Sequence, residues 1–357
     1  MPLKILHIAP FNTSDVPMTL VRAERALGHT SRLITLSRDR RGYEEDICLE
    51  LPFLDFVGTR FIKKIVSHPD KLNVDSVAHV PKKIPHEWHP NGIVEKILVR
   101  FREQLWSKKV NKVIAEYNLN KYDVYQLDSG LEFTRDGRFI KERKREGKKI
   151  ICCYNGSDLR TRGVLPNIDK NSDLNVTVEI DHVHLHPDIH HVFFPFELER
   201  FKTLPTIERE HLKIGHAPTN RKAKKSDIII PIIQSLSAEY NIELVLIENL
   251  PFNEAINRKS QCDIFVDQLG DLGYGINSLE ALAMAIPTCS CLAAGFTKIC
   301  PDHPFIEVNE NNLRDKLIHL INNFELRRTL SKKGRKWLEK YHDSRQVVKK
   351  IHKLAGL

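Results

Sequence analysis

The sequence predicts an α/β protein with two doubly wound domains, and three observations lead to this prediction. Short apolar runs alternate with amphipathic stretches along most of the chain. Most of the apolar runs are continuous rather than alternating, which is typical of parallel strands that are covered on both faces. The chain has 357 residues, of which 41% are hydrophobic, and this is enough to fill more than one core.

The predicted strands form one group in each half of the chain. Those of the first half cover residues 4–9, 32–36, 122–127, 149–154 and 175–179. Those of the second half cover residues 213–217, 242–247, 262–267, 286–292 and 305–308. Amphipathic helices are predicted between them, most clearly over residues 93–117 and 226–240. Two open parallel sheets in tandem predict a cleft between domains, with ligands bound at the carboxyl ends of the strands.

The domain boundary is predicted within residues 195–212, where FPFELERFKTLPTIEREH becomes charged and loses its apolar period. The predicted limits are 1–200, 201–340 and a C-terminal helical segment over 341–357. No run of about 18 apolar residues is present, and the N-terminus lacks the features of a secretory signal. The seven cysteines lie mainly in apolar runs. We therefore expect a cytoplasmic protein with reduced thiols in its core.

The net charge of +9 is compatible with three classes of partner: nucleic acid, an anionic membrane surface or phosphate-bearing small molecules. Residues 93–112 form an apolar and basic stretch whose face includes Ile97, Phe101, Leu105 and Trp106. Two interpretations stay open: this helix packs on the first sheet, or it docks peripherally on an anionic inner membrane face. The basic run KERKREGKK lacks interleaved aromatic residues, so nucleic acid is the less favoured partner.

Two loops of the first half place polar groups at the carboxyl ends of predicted strands. In the first, Asn12 and Thr13 precede a helix, which favours an anion or hydroxyl ligand as well as an ordinary capped helix start. In the second, YNGSDLRTRG, Asn155 and Asp158 lie among side chains that can hold hydroxyls or phosphates, and a binding role is favoured over a surface turn. The chain has no G-x-G-x-x-G, so no dinucleotide cofactor is predicted.

A third loop, IGHAPTNRKAKKSD, gathers cations at the start of the second half. Arg221, Lys222, Lys224 and Lys225 precede a helix that is predicted to start near Ser226. Cations at a helix start are unfavourable to the helix, but together with the helix dipole they favour phosphate. This loop therefore predicts a phosphate site.

The histidine-rich stretch VHLHPDIHH and the residue before it are the candidate for a metal site. On a strand, His182, His184 and His186 would share one face, as chelation requires. No cysteine lies near them and acidic neighbours are few. A structural role is therefore favoured, and no metal is predicted.

The segment GYGINSLEALAMAIP has a single acid in a run of small apolar residues. A helix that only filled a core would have Leu or Ile in place of Glu280, so the acid favours a ligand. With the strand before it, CDIFVDQLGDLGYGINSLEALAMAIP resembles the GT-B glycosyltransferases, especially the retaining family 4 enzymes that use nucleotide-sugar donors. FPFELERF and LRDKLIHLINNFELRRTLSKKGRKWLEKYHD resemble the interdomain linker and the last helices of the same family.

The resemblance implies a GT-B fold, in which two Rossmann-like domains face a cleft and the C-terminal helix packs back on the first domain. Glu280 would accept hydrogen bonds from the ribose hydroxyls of the donor. Arg221 and Lys224 would hold the diphosphate without a metal ion, and Asp158 would be a further catalytic group. The other contacts to substrate are predicted at Asn12, Thr13, Asn155, Asp267, Gln268, Gly273, Tyr274, Gly275, Ile276, Asn277 and Ser278.

The chain departs from the family pattern at several positions, and Thr13-Ser14-Asp15 replaces the family's double-glycine loop near the N-terminus. The first acid of the family's E-x(7)-E motif falls on Leu272, and a histidine of the first domain corresponds to Asn155. The predicted function is transfer of a sugar, with retention, from a nucleoside-diphosphate donor to a glycan, lipid-linked or other acceptor. A catalytically silent nucleotide-sugar-binding protein is an alternative that turnover would exclude. An enzyme that glycosylates nucleic acid is another, and a steep salt dependence of DNA binding would favour it.

Overall fold

Both halves of the chain form parallel sheets, as predicted. The computed structural model describes residues 1–39, 41–54, 84–156, 158–270 and 273–357. The chain divides into a first unit, Met1–Pro195 with Ser344–Leu357, and a second unit, Phe196–Asp343. The domain limits predicted from the sequence differ from these bounds by three to five residues, with 340 predicted against 343 and 200 against 195.

The first unit is built on a parallel sheet. Its strands are β1 (Lys4–Ala9), β2 (Thr30–Thr35), β3 (Ile47–Cys48), β4 (Val124–Asp128), β5 (Lys149–Tyr154), β6 (Leu174–Thr177) and β7 (Ile189–His191). Their order is β3-β2-β1-β4-β5-β6-β7, so the chain direction across the sheet reverses between β1 and β4. The sequence does not predict β3 or β7, because one has two residues and the other is the polar tripeptide IHH.

Helices connect these strands, and a mainly apolar core lies among them. The helices among the described residues are α1 (Val16–Ala26), α2 (Gly92–Glu116), α3 (Arg138–Arg145) and α4 (Pro166–Asp169). The predicted helix over residues 93–117 is thus confirmed as α2. Trp106 and Val110 of this helix are buried in the core, together with apolar residues of β1, β4 and β5. The basic run KERKREGKK ends α3 and begins β5.

The second unit has a smaller parallel sheet. Its strands are β8 (Leu212–His216), β9 (Ile242–Leu246), β10 (Ile264–Val266), β11 (Thr288–Ser290) and β12 (Ile306–Glu307). Their order is β12-β11-β10-β8-β9, so the chain direction reverses between β8 and β10. Doubly wound sheets bind their ligands at such a reversal, beyond the carboxyl ends of the strands. A ligand site is therefore expected in the loops after β8 and β10.

The helices of the second unit are α5 (Arg221–Lys224), α6 (Ser226–Ser237), α7 (Phe252–Lys259), α8 (Ile276–Ala283), α9 (Phe296–Ile299), α10 (Leu313–Ile321) and α11 (Phe324–Tyr341). The long helix α11 packs closely on α8. A Cβ atom added at Gly334 of α11 would lie 2.8 Å from Cδ2 of Leu282. Glycine at this position therefore lets the two helices approach each other, and this fixes α8 from one side.

The last helix, α12 (Ser344–Ala355), belongs to the first unit and packs on α1. Nε2 of His352 lies 3.5 Å from Oε1 of Glu24, and its ring meets the ring of His29 edge-on, with 5.1 Å between centroids. Val348 and Ile351 add buried apolar surface to this helix. The C-terminus of the chain therefore completes the unit in which the chain begins.

Two further observations concern the chain as a whole. All seven cysteines are free thiols, and burial raises the pKa of Cys152, Cys262 and Cys289 to about 12. At neutral pH these three thiols are therefore protonated and unreactive. In the described part of the chain, no helix combines the length and the apolar character that a bilayer crossing requires.

Candidate functional site

Asp267 directly follows β10 and is fully buried. Its Oδ1 forms an ion pair with Nζ of Lys224, and its Oδ2 accepts hydrogen bonds from the backbone N–H of Gly275 at 3.1 Å and from Oγ of Ser278 at 2.6 Å. Burial favours a raised pKa, but the charge of Lys224 and these hydrogen bonds hold the pKa of Asp267 below its ordinary value. The structure thus brings together four residues that the sequence predicts for the site.

Lys224 reaches Asp267 because the backbone around it is fixed. The side chain of Asn220 accepts a hydrogen bond from the N–H of Ala223 and so caps α5. The carbonyl of Lys224 accepts a hydrogen bond from the N–H of Leu269 at 3.3 Å. A Cβ atom at Gly270 would overlap the carbonyl oxygen of Ala223, so only glycine fits at this position. The loop after β10 therefore lies directly against α5.

The cations do precede a helix that begins at Ser226, as predicted, but they are not gathered around one site. Arg221 and Lys224 lie inside the short helix α5, and Lys225 then takes a left-handed conformation with φ of 54° that separates α5 from α6. The exposed Arg221 binds both carboxylate oxygens of Glu248, at 2.8 and 2.6 Å. Lys225 pairs with Glu310 at 2.6 Å. Arg221, Lys224 and Lys225 are thus each paired with a different carboxylate.

Glu280 lies inside α8 and not at its start. Gly275 is the N-cap of α8, so the first turn contains Ile276, Asn277 and Ser278, and Glu280 lies in the second turn. Because the helix dipole acts mainly within the first turn, it does not explain the acid. Glu280 is buried, and its Oε2 forms an ion pair with Lys259. Its Oε1 has no hydrogen-bond partner among the described residues.

Lys259, the last residue of α7, is the component of this site that sequence reasoning missed. Its side chain is fully buried, and Nζ donates a hydrogen bond to Oδ1 of Asn277 at 2.7 Å in addition to pairing with Glu280. The ammonium group also lies 5.0 Å from the ring centroid of Phe265. Asn277 in turn donates to the carbonyl of Ala217, after β8, at 3.1 Å. The sequence feature that could have identified Lys259 is a cation at the end of a helix that leads into β10.

The glycine-rich loop before α8 contributes backbone groups to the site more than side chains. Gly273 has φ of +85°, and a Cβ atom there would lie 3.2 Å from the backbone N of Ala293, so both conformation and space favour glycine. The Tyr274 ring stacks on Phe305, with 4.7 Å between centroids, and its hydroxyl lies 3.3 Å from Nε2 of His342. The side chain of Tyr274, which is predicted to bind substrate, is therefore engaged in packing within the second unit.

Other predicted residues of the loop hold the backbone in place or stay accessible. The carbonyl of Gln268 accepts a hydrogen bond from the N–H of Cys291 at 2.9 Å, which ties the loop to the chain after β11. The side chains of Gln268 and Ile276 are partly exposed. Leu272, on which the first acid of the family motif falls, lies outside the described residues.

In the first unit, the side-chain amide of Asn12 forms hydrogen bonds within the protein. Its Nδ2 donates to Oδ1 of Asp15 at 2.9 Å and to the carbonyl of Glu44 at 2.7 Å, and its Oδ1 accepts a hydrogen bond from the N–H of Met18 at 3.4 Å. Asn12 is fully buried, whereas Thr13 is exposed in a short 3-10 turn. The Asn12 side chain therefore stabilises the loop after β1, in place of the predicted role in binding a ligand.

Asn155 and Asp158 lie together after β5. The N–H of Asn155 donates to Oδ2 of Asp158 at 3.0 Å, and burial raises the pKa of that carboxyl. Arg160 of the same turn is bound to Glu179 at 2.7 Å and to both carboxylate oxygens of Asp181, at 2.7 and 2.6 Å. In this turn Arg160 is therefore neutralised, and Asp158 is a weaker acid than usual.

A second group that the sequence analysis missed surrounds His7 in the middle of β1. Burial lowers the pKa of His7, but the carboxylate of Glu24, 2.8 Å from Nε2, raises it overall above its ordinary value. The pKa of Glu24 falls to about 2, because His7, His352 and Ser31 outweigh its burial. Asp128, at the end of β4, is buried with Oδ2 unpartnered among the described residues, and burial raises its pKa to about 7.

The histidines of the candidate metal site are on a 3-10 turn, Ile180–His184, and beyond it, rather than on a strand. His182 is buried, within 2.9 Å of Oγ1 of Thr177, and His186 lies 3.0 Å from the carboxylate of Asp169. His184 is exposed. Across the described residues, no three His, Cys, Asp or Glu side chains are grouped as a metal ion would require.

Comparisons with known proteins agree with the parallel architecture. No family model matches the chain. An uncharacterized glycosyltransferase of Methanocaldococcus jannaschii is 26% identical over 155 residues, which are 36% of this chain and 44% of that protein. The match therefore spans less than half of the relative's length.

Two solved structures are similar over nearly the whole chain. Sucrose-phosphate synthase of Thermosynechococcus elongatus has a TM-score of 0.61 at 12% identity, over 99% of this chain and 98% of that one. HepE of Anabaena, solved in complex with UDP, has a TM-score of 0.57 at 10% identity, over 99% of this chain and 100% of that one. The chain therefore has the GT-B fold, and the predicted fold class is confirmed.

Proposed function

We propose that the protein is a glycosyltransferase that moves a sugar from a nucleoside-diphosphate donor to a sugar-bearing acceptor, with retention. The observation that carries this proposal is the buried carboxylate of Glu280, which has one oxygen on Lys259 and the other without a partner in the described chain. Asn277 and Ser278, in the first turn of the same helix, join Glu280 to the Lys224–Asp267 pair. The Glu280 carboxylate and the Lys224 ammonium group are thus linked through the protein, at the point where the strand order of the second sheet reverses.

The nucleoside part of the donor is assigned to Glu280. A carboxylate oxygen is an acceptor only, so two adjacent ribose hydroxyls are suitable donors to it. Lys259 neutralises the acid and fixes its orientation from inside the protein, which leaves Oε1 for the ligand. HepE was solved with UDP and with UDP-glucose, and this supports a nucleoside-diphosphate sugar as the donor class.

The diphosphate is assigned to Lys224, with Arg221 as a further cation at the start of α5. Negative charge grows on the leaving diphosphate during transfer, and a positioned ammonium group stabilises that charge. Bound phosphate would compete with Asp267 for Lys224, and with Glu248 for Arg221. Two cations within one helical turn supply charge that a metal ion provides in other transferases, so we include metal independence in the proposal.

The experiment that tests the function uses UDP and 2′-deoxy-UDP with the wild type and Glu280→Gln. In isothermal titration, Glu280→Gln should weaken UDP binding at least about tenfold, because hydrogen bonds to a charged group contribute about 1.5–3 kcal/mol. Loss of the 2′-hydroxyl should weaken binding to the wild type much more than to the variant. Additive losses would show that Glu280 does not hold the ribose.

Glu254→Gln is the matched control, because Glu254 is an exposed acid of the same unit whose partner, Arg258, is also exposed. It should bind UDP as the wild type does. Glu280→Gln leaves Lys259 charged and buried, so its melting temperature is expected to fall while the control's does not. Product formation from UDP-glucose in the presence of EDTA then separates a metal-independent enzyme from a silent binding protein, and NMR of the product reports the anomeric configuration.

A peripheral membrane contact is proposed for the outer face of α2, consistent with a cytoplasmic protein that has a lipid-linked acceptor. Ile97, Phe101 and Leu105 are 59%, 59% and 47% exposed, whereas Trp106, predicted on the same face, is buried and donates to the carbonyl of Pro52 at 2.9 Å. Flotation with anionic vesicles at low salt, reduced by Phe101→Ser, is the expected result. Equal flotation of the variant would exclude this face.

A further inference from the structure

Several arginines of the first unit have no carboxylate partner among the described residues, and three of them belong to one group of contacts. They are Arg102 on α2, Arg135 in the loop between β4 and α3, and Arg162 in the loop after β5. None of them forms an ion pair within 4.0 Å in the part of the chain that the structure describes. Because β4 and β5 are parallel neighbours, the loops that follow them lie at the same edge of the sheet.

Trp88 connects the loops that carry Arg135 and Arg162. The guanidinium of Arg135 lies over the Trp88 ring, 5.0 Å from its centroid. The N–H of Trp88 donates to the carbonyl of Val164 at 2.8 Å. Arg162 donates from Nη2 to the carbonyl of Ser129, and from Nε to a second backbone carbonyl at 3.0 Å. The side-chain contacts of the two arginines are thus with neutral groups.

Arg102 approaches the same place from α2. Its guanidinium lies 4.4 Å from the ring centroid of Trp106. The next residue, Glu103, accepts a hydrogen bond from the backbone N–H of Arg135 at 2.6 Å, which joins α2 to the arginine loop. Nε of Arg102 and Nη1 of Arg135 are both buried without a hydrogen-bond partner among the described residues. Two guanidinium groups therefore each have an unsatisfied donor in the interior.

Charges of both signs act on these arginines, because Glu103 lies near Arg102 and Arg135, and Asp158 lies near Arg162. Burial, together with the charges of Arg162 and Arg102, lowers the pKa of Arg135 to about 9. Burial raises the pKa of the neighbouring Glu132 to about 8, so this acid is mostly uncharged at neutral pH. Asp136 is bound by Arg138 at 3.0 Å. An unpaired buried charge is unfavourable unless a counter-ion or hydrogen-bond acceptor completes its environment.

We propose that Arg102, Arg135 and Arg162 form a binding site for a phosphate group, separate from the donor site of the second unit. Phosphate presents several charged oxygens, and planar guanidinium groups bind such oxygens through paired N–H donors. The apolar face of α2 includes Phe101, the neighbour of Arg102 in the chain, so a phospholipid headgroup and a soluble phosphate ester are two sources of the same chemistry. The site depends on these contacts alone and not on the proposed sugar transfer.

The test measures melting temperature with inorganic phosphate at constant ionic strength, without any nucleotide. Wild type and Arg138→Gln should be stabilised by phosphate, because Arg138 is exposed and already bound to Asp136. Arg135→Gln and Arg162→Gln should lose the stabilisation, with an affinity for phosphate at least about tenfold weaker. Without phosphate, Arg135→Gln should melt no lower than the wild type, since it removes an unpaired buried charge.

Equal stabilisation of all four proteins by phosphate, or none of the wild type, would overturn the proposal. If Arg135→Gln does not fold, Arg162→Gln makes the same comparison. Vesicles of phosphatidylcholine with phosphatidic acid distinguish the sources. Arg135-dependent sedimentation with these vesicles assigns the site to a lipid headgroup, whereas stabilisation by inorganic phosphate without vesicle binding assigns it to a soluble ester.

Discussion

Two buried aspartates occupy the same place in the two sheets and differ in their surroundings. Asp128 ends β4 in the first unit, and Asp267 follows β10 in the second, each on a central parallel strand. Asp267 is bound by Lys224, Ser278 and a backbone N–H, and its pKa is below the ordinary value. Asp128 has an unpartnered Oδ2 in the described chain, and its pKa is raised to about 7.

The comparison shows that neighbours, and not the position at the end of a strand, determine the charge of such an acid. Burial acts on both groups in the same direction, toward a higher pKa. In the second unit an ammonium group and two N–H or O–H donors overcome it. In the first unit no described group does so. The second unit therefore presents a fixed pair of charges, and the first an acid that titrates near neutral pH.

The largest effect is expected when Lys224 is replaced by Met. Asp267 would then be a buried charge without its counter-ion, and such losses destabilise proteins by about 3–5 kcal/mol. In the proposed reaction turnover should also fall by about two decades, as for the loss of one group that stabilises developing charge. Thermal unfolding and initial rates with UDP-glucose measure the two effects.

Two variants complete this test. Lys222→Met changes an exposed lysine of the same helix and should leave stability as it is. Lys224→Met combined with Asp267→Asn removes both charges, so it should regain most of the lost stability but none of the turnover. A double variant as unstable as Lys224→Met would mean that the ion pair is not what holds this loop.

A smaller effect is expected from Asp128→Asn, and this effect depends on pH. An acid whose pKa is higher in the folded than in the unfolded protein makes stability fall as pH rises from about 4 to about 7. Asn cannot ionise, so the variant should gain on the wild type through this range, by at most about 4 kcal/mol above pH 7. At pH 4 the two proteins should be nearly equal. A constant difference between pH 4 and pH 8 would contradict the raised pKa.

The sequence predicts the fold better than it predicts the site. Continuous apolar runs identify the buried strands, and the residues after β8 and β10 do lie together around Asp267. Lys259 could not be found in this way, because its pairing with Glu280 depends on how α7 and α8 pack and not on a spacing along the chain. The hydrogen bond of Asn12 to the carbonyl of Glu44 and the packing of Tyr274 on Phe305 depend on tertiary structure in the same way.

The smallest effect is expected at Arg221, which the sequence pairs with Lys224 but the structure places on Glu248. Because Arg221 is exposed and the pair is screened by solvent, Arg221→Gln should leave the melting temperature unchanged within error. The arginine must leave Glu248 before it can reach a diphosphate, so its loss should reduce turnover less than Lys224→Met does. Glu248→Gln releases the arginine and should keep or increase turnover. If Arg221→Gln reduces turnover as much as Lys224→Met, the two cations act as one clamp in the bound state, and the contact with Glu248 does not weaken the contribution of Arg221.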